Sequence, residues 1–229
     1  MPFMKQGTEP NCGAFATAYF FWAAKKVKPF DKIYRTGDEY GDEDTINEIY
    51  ENIRLGEEQV PALCQQYKQM LGPYAPDGRV ERMFFSPKSN LAAEDLGGIS
   101  MPDKIKSLLE ANGVANVKLY MPGSPKSVIT LLYNMMDPDA KSGCIRNRKI
   151  DNSLILAGNA CIELVFVQDA NLESLHYVFS YPSSTEKGVV YYVNPWLGYA
   201  KERSDLPDKM IDEGFKLRPT GAGVVIPIK

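Results

Sequence analysis

The sequence predicts an α+β fold, with helices over about residues 1–150 and strands over about 151–229. Two patterns carry this. Between residues 45 and 136, apolar residues return every three to four positions, and Gly or Pro stops separate the runs. From Leu154 onward the runs become short, rich in β-branched and aromatic residues, and bounded by turn formers. Size adds a third point. A chain of 229 residues with 44% hydrophobic content suits one domain of two lobes with an ample core.

The elements follow in order. A helix is expected from Cys12 to Lys26, with Asn11 as its side-chain cap. Phe15, Ala18, Tyr19 and Trp22 make one apolar face, and Ala16, Phe20 and Ala23 extend it nearly all round, which marks a buried helix. The apolar run from Gly13 to Ala24 is too short to span a bilayer, which takes about 20 residues. Lys5 precedes it, but so do Glu9 and Pro10, a poor start for a signal peptide. Asp38 to Asp44 is acidic, yet its spacing does not follow the twelve-residue calcium loop, so a solvated face is expected.

Ile46, Ile49, Tyr50 and Ile53 predict a helix over Thr45–Leu55, stopped by Gly56. Another is expected over Pro61–Leu71, with Leu63, Tyr67, Met70 and Leu71 inward, Cys64 as a small core residue and Gly72 as the stop. Residues 72–100 read as a long loop with an extended piece at Val80–Phe85; it forms either a cleft wall or an irregular connection. Pro102–Asn112 reads as a helix and Val117–Met121 as a strand. Ser124 is the expected cap of a helix that Pro125 opens, that runs to Met136, and that Asp137-Pro138-Asp139 ends. Met135 and Met136 read as packing, and Arg146 to Lys149 as a solvated turn. Strands are then expected at Leu154–Ala157, Cys161–Val167, Leu175–Tyr181, Gly188–Val193 and Gly223–Ile228, with a short helix over Leu206–Glu213.

A net charge of −3 gives no strong pull toward nucleic acid or an anionic membrane. Cys12, Cys64, Cys144 and Cys161 fit neither a zinc site nor a disulfide framework. Free thiols and a reducing compartment follow. The chain is expected to be cytoplasmic as made, with export lacking a conventional signal peptide left open.

Gln6 lies six residues before Cys12, and the first helix follows that cysteine directly. A thiol in the first turn of a helix meets the positive end of the helix dipole, which favours the nucleophilic thiolate. The Gln6 amide can fold back beside it, and with the Cys12 backbone N–H it makes a two-donor oxyanion hole. The base can only be His176, the single histidine. It sits on one strand, and Asn194 comes eighteen residues later, after the next. A hairpin turning at Ser183–Glu186 places the two side by side, so that the amide oxygen fixes the imidazole tautomer.

The order Gln6, Cys12, His176 and Asn194-Pro195-Trp196 resembles the papain-like cysteine peptidase superfamily. Cys12-Gly13 is more similar to bacteriocin-leader peptidases and related bacterial papain-fold enzymes, effectors among them, than to papain, which has an aromatic directly after the nucleophile. The resemblance covers the two ends of the chain. It implies a papain-like fold whose central nucleophile helix packs on a C-terminal antiparallel sheet. It implies a thiol protease, a hydrolase forming an acyl-enzyme thioester on a protein or peptide substrate, with no metal and no organic cofactor. Cys12 is the implied nucleophile, His176 the base, Asn194 the orienting group, Gln6 the oxyanion donor and Trp196 the cover over the asparagine. Asn11 and Gly13 flank the nucleophile in support. The same triad also fits a deamidase, a transglutaminase-like or deubiquitinase-like enzyme, or an interaction module without turnover.

Overall fold

The computed structural model of the chain describes residues 6, 11–26, 43–56, 59, 61–62, 65–66, 69, 99–123, 127–168, 173–203, 210–212 and 215–228. Within them the protein is a mixed α+β fold built on one antiparallel sheet. Helix α1 (Cys12–Lys26) has the predicted bounds. It is apolar on nearly every side, with Ala14, Phe15, Ala16, Ala18, Tyr19, Phe20, Phe21, Ala23 and Ala24 all buried. A helix of this kind must have packing partners all around it. On one side it meets helix α2 (Glu43–Ile53), whose Ile46, Ile49 and Ile53 are buried in the same core.

Helix α3 (Pro102–Ala111) starts with Pro in its first turn and is followed by Gly113 in a left-handed conformation. Strand β1 (Lys118–Tyr120) lies inside the expected 117–121 run. Helix α4 (Val128–Met135) starts later than expected: Ser127, not Ser124, is the cap, its Oγ accepting from the Thr130 N–H at 3.2 Å. Residues 124–126 lie outside the described residues. Asp137-Pro138 does not simply end that helix. It opens a short one, α5 (Pro138–Ser142), with Pro in its first turn.

The expected strand at 154–157 is instead helix α6 (Asn152–Leu156). The Asp151 carboxylate accepts from the Leu154 N–H at 2.9 Å, and that cap turns a short apolar run into a helix. The Arg146–Lys149 cluster is not wholly solvated, since the Arg146 guanidinium lies 3.9 Å from the centre of the Tyr133 ring.

The remaining strands are β2 (Asn159–Gln168), β3 (Glu173–Pro182), β4 (Val190–Val193), β5 (Ala200–Glu202), β6 (Met210–Asp212) and β7 (Phe215–Pro227). Strand β5 has no counterpart among the expected elements. Met210–Asp212 is a strand where a helix was expected, and 204–209 lie outside the described residues. The sheet order is β1-β7-β2-β3-β4-β5, with β6 also on β7 and every pairing antiparallel. The β2–β3 register sets Val165 opposite His176 and Leu164 opposite Tyr177. Alternation then turns Tyr177 and Phe179 toward α1, where the Phe20 and Phe179 rings meet edge to face at 6.4 Å. Val178 turns to the other face, into a cluster with Val165, Val167, Tyr192, Trp196 and Leu217. Where β7 passes Glu163 its register shifts, and Gly223 is required there, since a Cβ would lie 2.2 Å from the Ile162 carbonyl oxygen.

The expected extended piece at Val80–Phe85 and all but the last two residues of the acidic 38–44 loop lie outside the described residues. Of the expected 61–71 helix, residues 61, 62, 65, 66 and 69 are helical. Among the described residues, no helix is long and apolar enough to cross a membrane.

Candidate active site

Three parts of the chain converge where the N-terminus of α1 meets the sheet. The first is a hairpin. Strands β3 and β4 pair Phe179 with Val193, and the chain runs on from β4 into a turn at Asn194. The Leu197 and Gly198 N–H groups donate to the Asn194 carbonyl oxygen at 2.9 and 3.0 Å, which holds that turn. The Asn194 side chain is thereby set beside His176, and His176 Nε2 lies 2.8 Å from Asn194 Oδ1. Two residues on, the Trp196 backbone N–H also meets Oδ1, at 3.1 Å.

That second contact decides the protonation pattern. A backbone N–H only donates, so the Asn194 atom facing it is the oxygen. An amide oxygen only accepts, so His176 Nε2 carries the proton. In the neutral ring Nδ1 then has the lone pair and is the basic nitrogen. The Trp196 ring stacks on the imidazole, with centroids 4.1 Å apart and planes 25° apart. His176, Asn194 and Trp196 are 2%, 1% and 2% exposed, so water does not compete for the Nε2–H bond.

The second part is the helix start. The Ala14 and Phe15 N–H groups donate to the Asn11 backbone carbonyl at 2.9 and 3.1 Å. The expected side-chain cap is absent, because the buried Asn11 Oδ1 accepts no hydrogen bond. The N–H groups of Cys12 and Gly13 are turned to the Cys12 sulfur, and the Tyr177 backbone N–H reaches it from β3. The thiol therefore sits against the residue that follows His176.

Cys12 is half-buried, and desolvation pushes its thiol from 9.0 up to about 11, with the Tyr177, Gly13 and Cys12 N–H groups pulling only partly against it. The expectation of a helix-stabilised thiolate is corrected here. The helix-start N–H groups act in the expected sense, but desolvation outweighs them. Cys12, Cys144 and Cys161 are free thiols. Cys64 lies outside the described residues.

The third part is Gln6, a buried residue whose backbone N–H donates to the Pro195 carbonyl at 2.8 Å. This ties the segment before the nucleophile to the Asn194–Trp196 turn. Every residue singled out in the sequence for a site is thus in or beside one cluster. Two further residues belong to it. Tyr177 supplies the N–H at the sulfur, and its hydroxyl donates to the Ser100 carbonyl at 2.8 Å. Tyr177 was legible only as the neighbour of His176, and nothing local marks Ser100.

No protein-family model matches the chain, and no curated protein matches it. Chemically the cluster offers a thiol, a ring nitrogen with its lone pair directed away from Asn194, and backbone N–H donors at the sulfur. A thiol and an imidazole are the two groups that nucleophilic acyl transfer uses; here the thiol meets β3 through the Tyr177 N–H and the imidazole meets the Asn194 turn. Among the described residues, no group of three or more His, Cys, Asp or Glu side chains could hold a metal ion.

Proposed function

We infer that the protein is a thiol-dependent hydrolase of papain-like fold that cleaves peptide or amide bonds through Cys12, His176 and Asn194. The observation that carries this reading is the His176 Nε2–Asn194 Oδ1 bond of 2.8 Å, with Oδ1 identified by the Trp196 N–H. The Asn194 oxygen holds the proton on Nε2, which makes Nδ1 the basic nitrogen, and the residue after His176 supplies a backbone N–H to the Cys12 sulfur.

In the proposed reaction the resting site holds a neutral thiol and a neutral imidazole. As the Cys12 sulfur attacks the substrate carbonyl, its proton passes to His176 Nδ1. The Cys12 N–H and the Gln6 side-chain amide stabilise the oxyanion. The tetrahedral intermediate collapses to a thioester. His176 gives its proton to the leaving amine, then takes one from a water that attacks the thioester; as the C–S bond breaks and the acid is released, that proton returns to the Cys12 sulfur. Asn194 holds the ring in its plane throughout, and Trp196 excludes water from that bond.

The test uses an unfolded protein mixture as substrate, with mass spectrometry of new termini and of the intact enzyme. Wild-type protein is expected to generate new termini and an acyl adduct on Cys12, and Cys12→Ala and His176→Ala to abolish both. A substrate amide converted to acid without scission would keep the acyl-transfer chemistry and replace the bond cleaved. Binding of a partner unaffected by Cys12→Ala, with neither adduct nor product, would refute an enzymatic role.

A further inference from the structure

We propose, resting on the thiol-hydrolase reading above, that Ser100 is a positioning residue whose wedge between Gly13 and Tyr177 sets the Cys12 sulfur against the strand bearing His176. A Cβ built on Gly13 would lie 2.3 Å from Ser100 Cβ, 2.4 Å from Ser100 Oγ and 3.3 Å from Tyr177 Cδ2. The first turn of α1 therefore rests directly on Ser100, at the residue after the nucleophile. Glycine there is a matter of space, since only a residue without Cβ lets the helix approach this closely.

Ser100 is held from both sides. The Tyr177 hydroxyl donates to its carbonyl at 2.8 Å. The Leu55 N–H donates to the Ile99 carbonyl at 2.8 Å and the Met101 N–H to the Ile53 carbonyl at 2.7 Å, so the segment is laced to the end of α2. Ser100 is 1% exposed, and a close-packed interior cannot yield by compression. Tyr177 closes the loop, because its backbone N–H is on the sulfur while its hydroxyl is on Ser100. Helix start, wedge and base strand thus form one rigid stack, and the wedge sets its spacing.

Ordinary carbon contacts lie at about 3.5–4.0 Å, so the Gly13→Ala methyl forces a displacement of about 1 Å or more. A misplacement of that size can cost about 10²-fold in rate. The readout is the rate of Cys12 alkylation by limiting iodoacetamide near neutral pH, taken in the full chain with and without His176→Ala. The His176-dependent part of the rate is expected to fall about 100-fold in Gly13→Ala. It should return to within about fivefold of wild type in Gly13→Ala with Ser100→Gly, which removes the two clashing atoms. Tyr177→Phe keeps the ring and loses one hydrogen bond. It should lower the same component about five- to tenfold, and it serves where Gly13→Ala does not fold.

A wild-type protein with His176-dependent alkylation, but no loss in Tyr177→Phe and no recovery in the double variant, would overturn the wedge and leave the hydrolase reading standing. A wild-type protein whose alkylation ignores His176 would overturn both. Lower melting temperatures with an unchanged His176-dependent rate would show that the stack is structural only.

Discussion

The pH dependence of Cys12 reactivity separates the thiol's own acidity from the help of the imidazole. In His176→Ala the half-buried sulfur keeps the desolvation and N–H groups that set its acidity, so its proton is expected to hold to about pH 11. With no base to take the proton during attack, only thiolate reacts with an alkylating agent, so at pH 7 about one molecule in 10⁴ is reactive. An ordinary thiol at 9.0 ionises two units earlier, so Cys12 in the variant should label about 100-fold more slowly at neutral pH. The logarithm of its rate should climb with unit slope until about pH 11. In wild-type protein the neutral ring can accept the proton as the sulfur reacts. General-base help is worth about 10²–10⁴-fold, so the wild-type rate should exceed the variant's by that factor at pH 7 and show a shoulder that the variant lacks. Alkylation rates from pH 5 to 11, with modification mapped to each cysteine, supply the comparison. Superimposable profiles for the two proteins would refute the coupling of His176 to Cys12.

Asn194→Ala removes the acceptor that fixes the Nε2–H tautomer. Cys12 alkylation at pH 7 should fall by about 10–100-fold, and Asn194→Gln should recover little because its longer side chain cannot also meet the Trp196 N–H. The buried Glu163–Arg203 pair, 3.0 Å apart, predicts that Glu163→Leu costs about 3–5 kcal/mol by denaturant unfolding, whereas adding Arg203→Met restores most of it; equal losses in the single and double variants would show that the pair is not coupled. Asp151→Ala should cost about 1 kcal/mol through loss of the α6 cap. Ser153 and the Leu154 N–H hold the Asp151 carboxyl below its ordinary value. Its contribution is therefore present above the unfolded pKa near 3.8 and lost as pH falls through the folded one, so wild type and variant should converge in acid.

What was legible in the sequence is what local rules determine. Helix α1 was readable from its apolar surround and its start after Pro10-Asn11, and its bounds agree with the expectation. The meeting of His176 with Asn194 was readable because a short turn between alternating strands leaves few registers. The strand expected at 154–157 failed because a four-residue apolar run has no decisive period, and Asp151, three residues before the start of that run, decided for helix. Ser124 and Ser127 compete as caps by composition alone, and only the Ser127 Oγ contact with the Thr130 N–H selects between them. The Glu163–Arg203 pair joins residues forty apart in sequence, and the Ser100–Tyr177 bond joins residues seventy-seven apart, so neither leaves a local trace.

The acidity of Cys12 shows how a local reading can name the groups that favour a thiolate and miss the desolvation that opposes them. Position in the first turn of α1 was visible, and with it the N–H groups that favour a thiolate. Desolvation was not, because it depends on what the fold packs around the sulfur, and the Tyr177 N–H that reaches it comes from β3, far along the chain. Under the proposed chemistry, desolvation that outweighs the N–H groups makes a neutral thiol beside a neutral imidazole the resting pair. The proton has to move during attack, and the receiving nitrogen has to be basic and correctly aimed at that moment. Under the proposed chemistry this places the demand on His176 rather than on the helix dipole. It gives a physical reason for sealing the Nε2–Asn194 bond under Trp196 when an exposed hydrogen bond would have sufficed for packing.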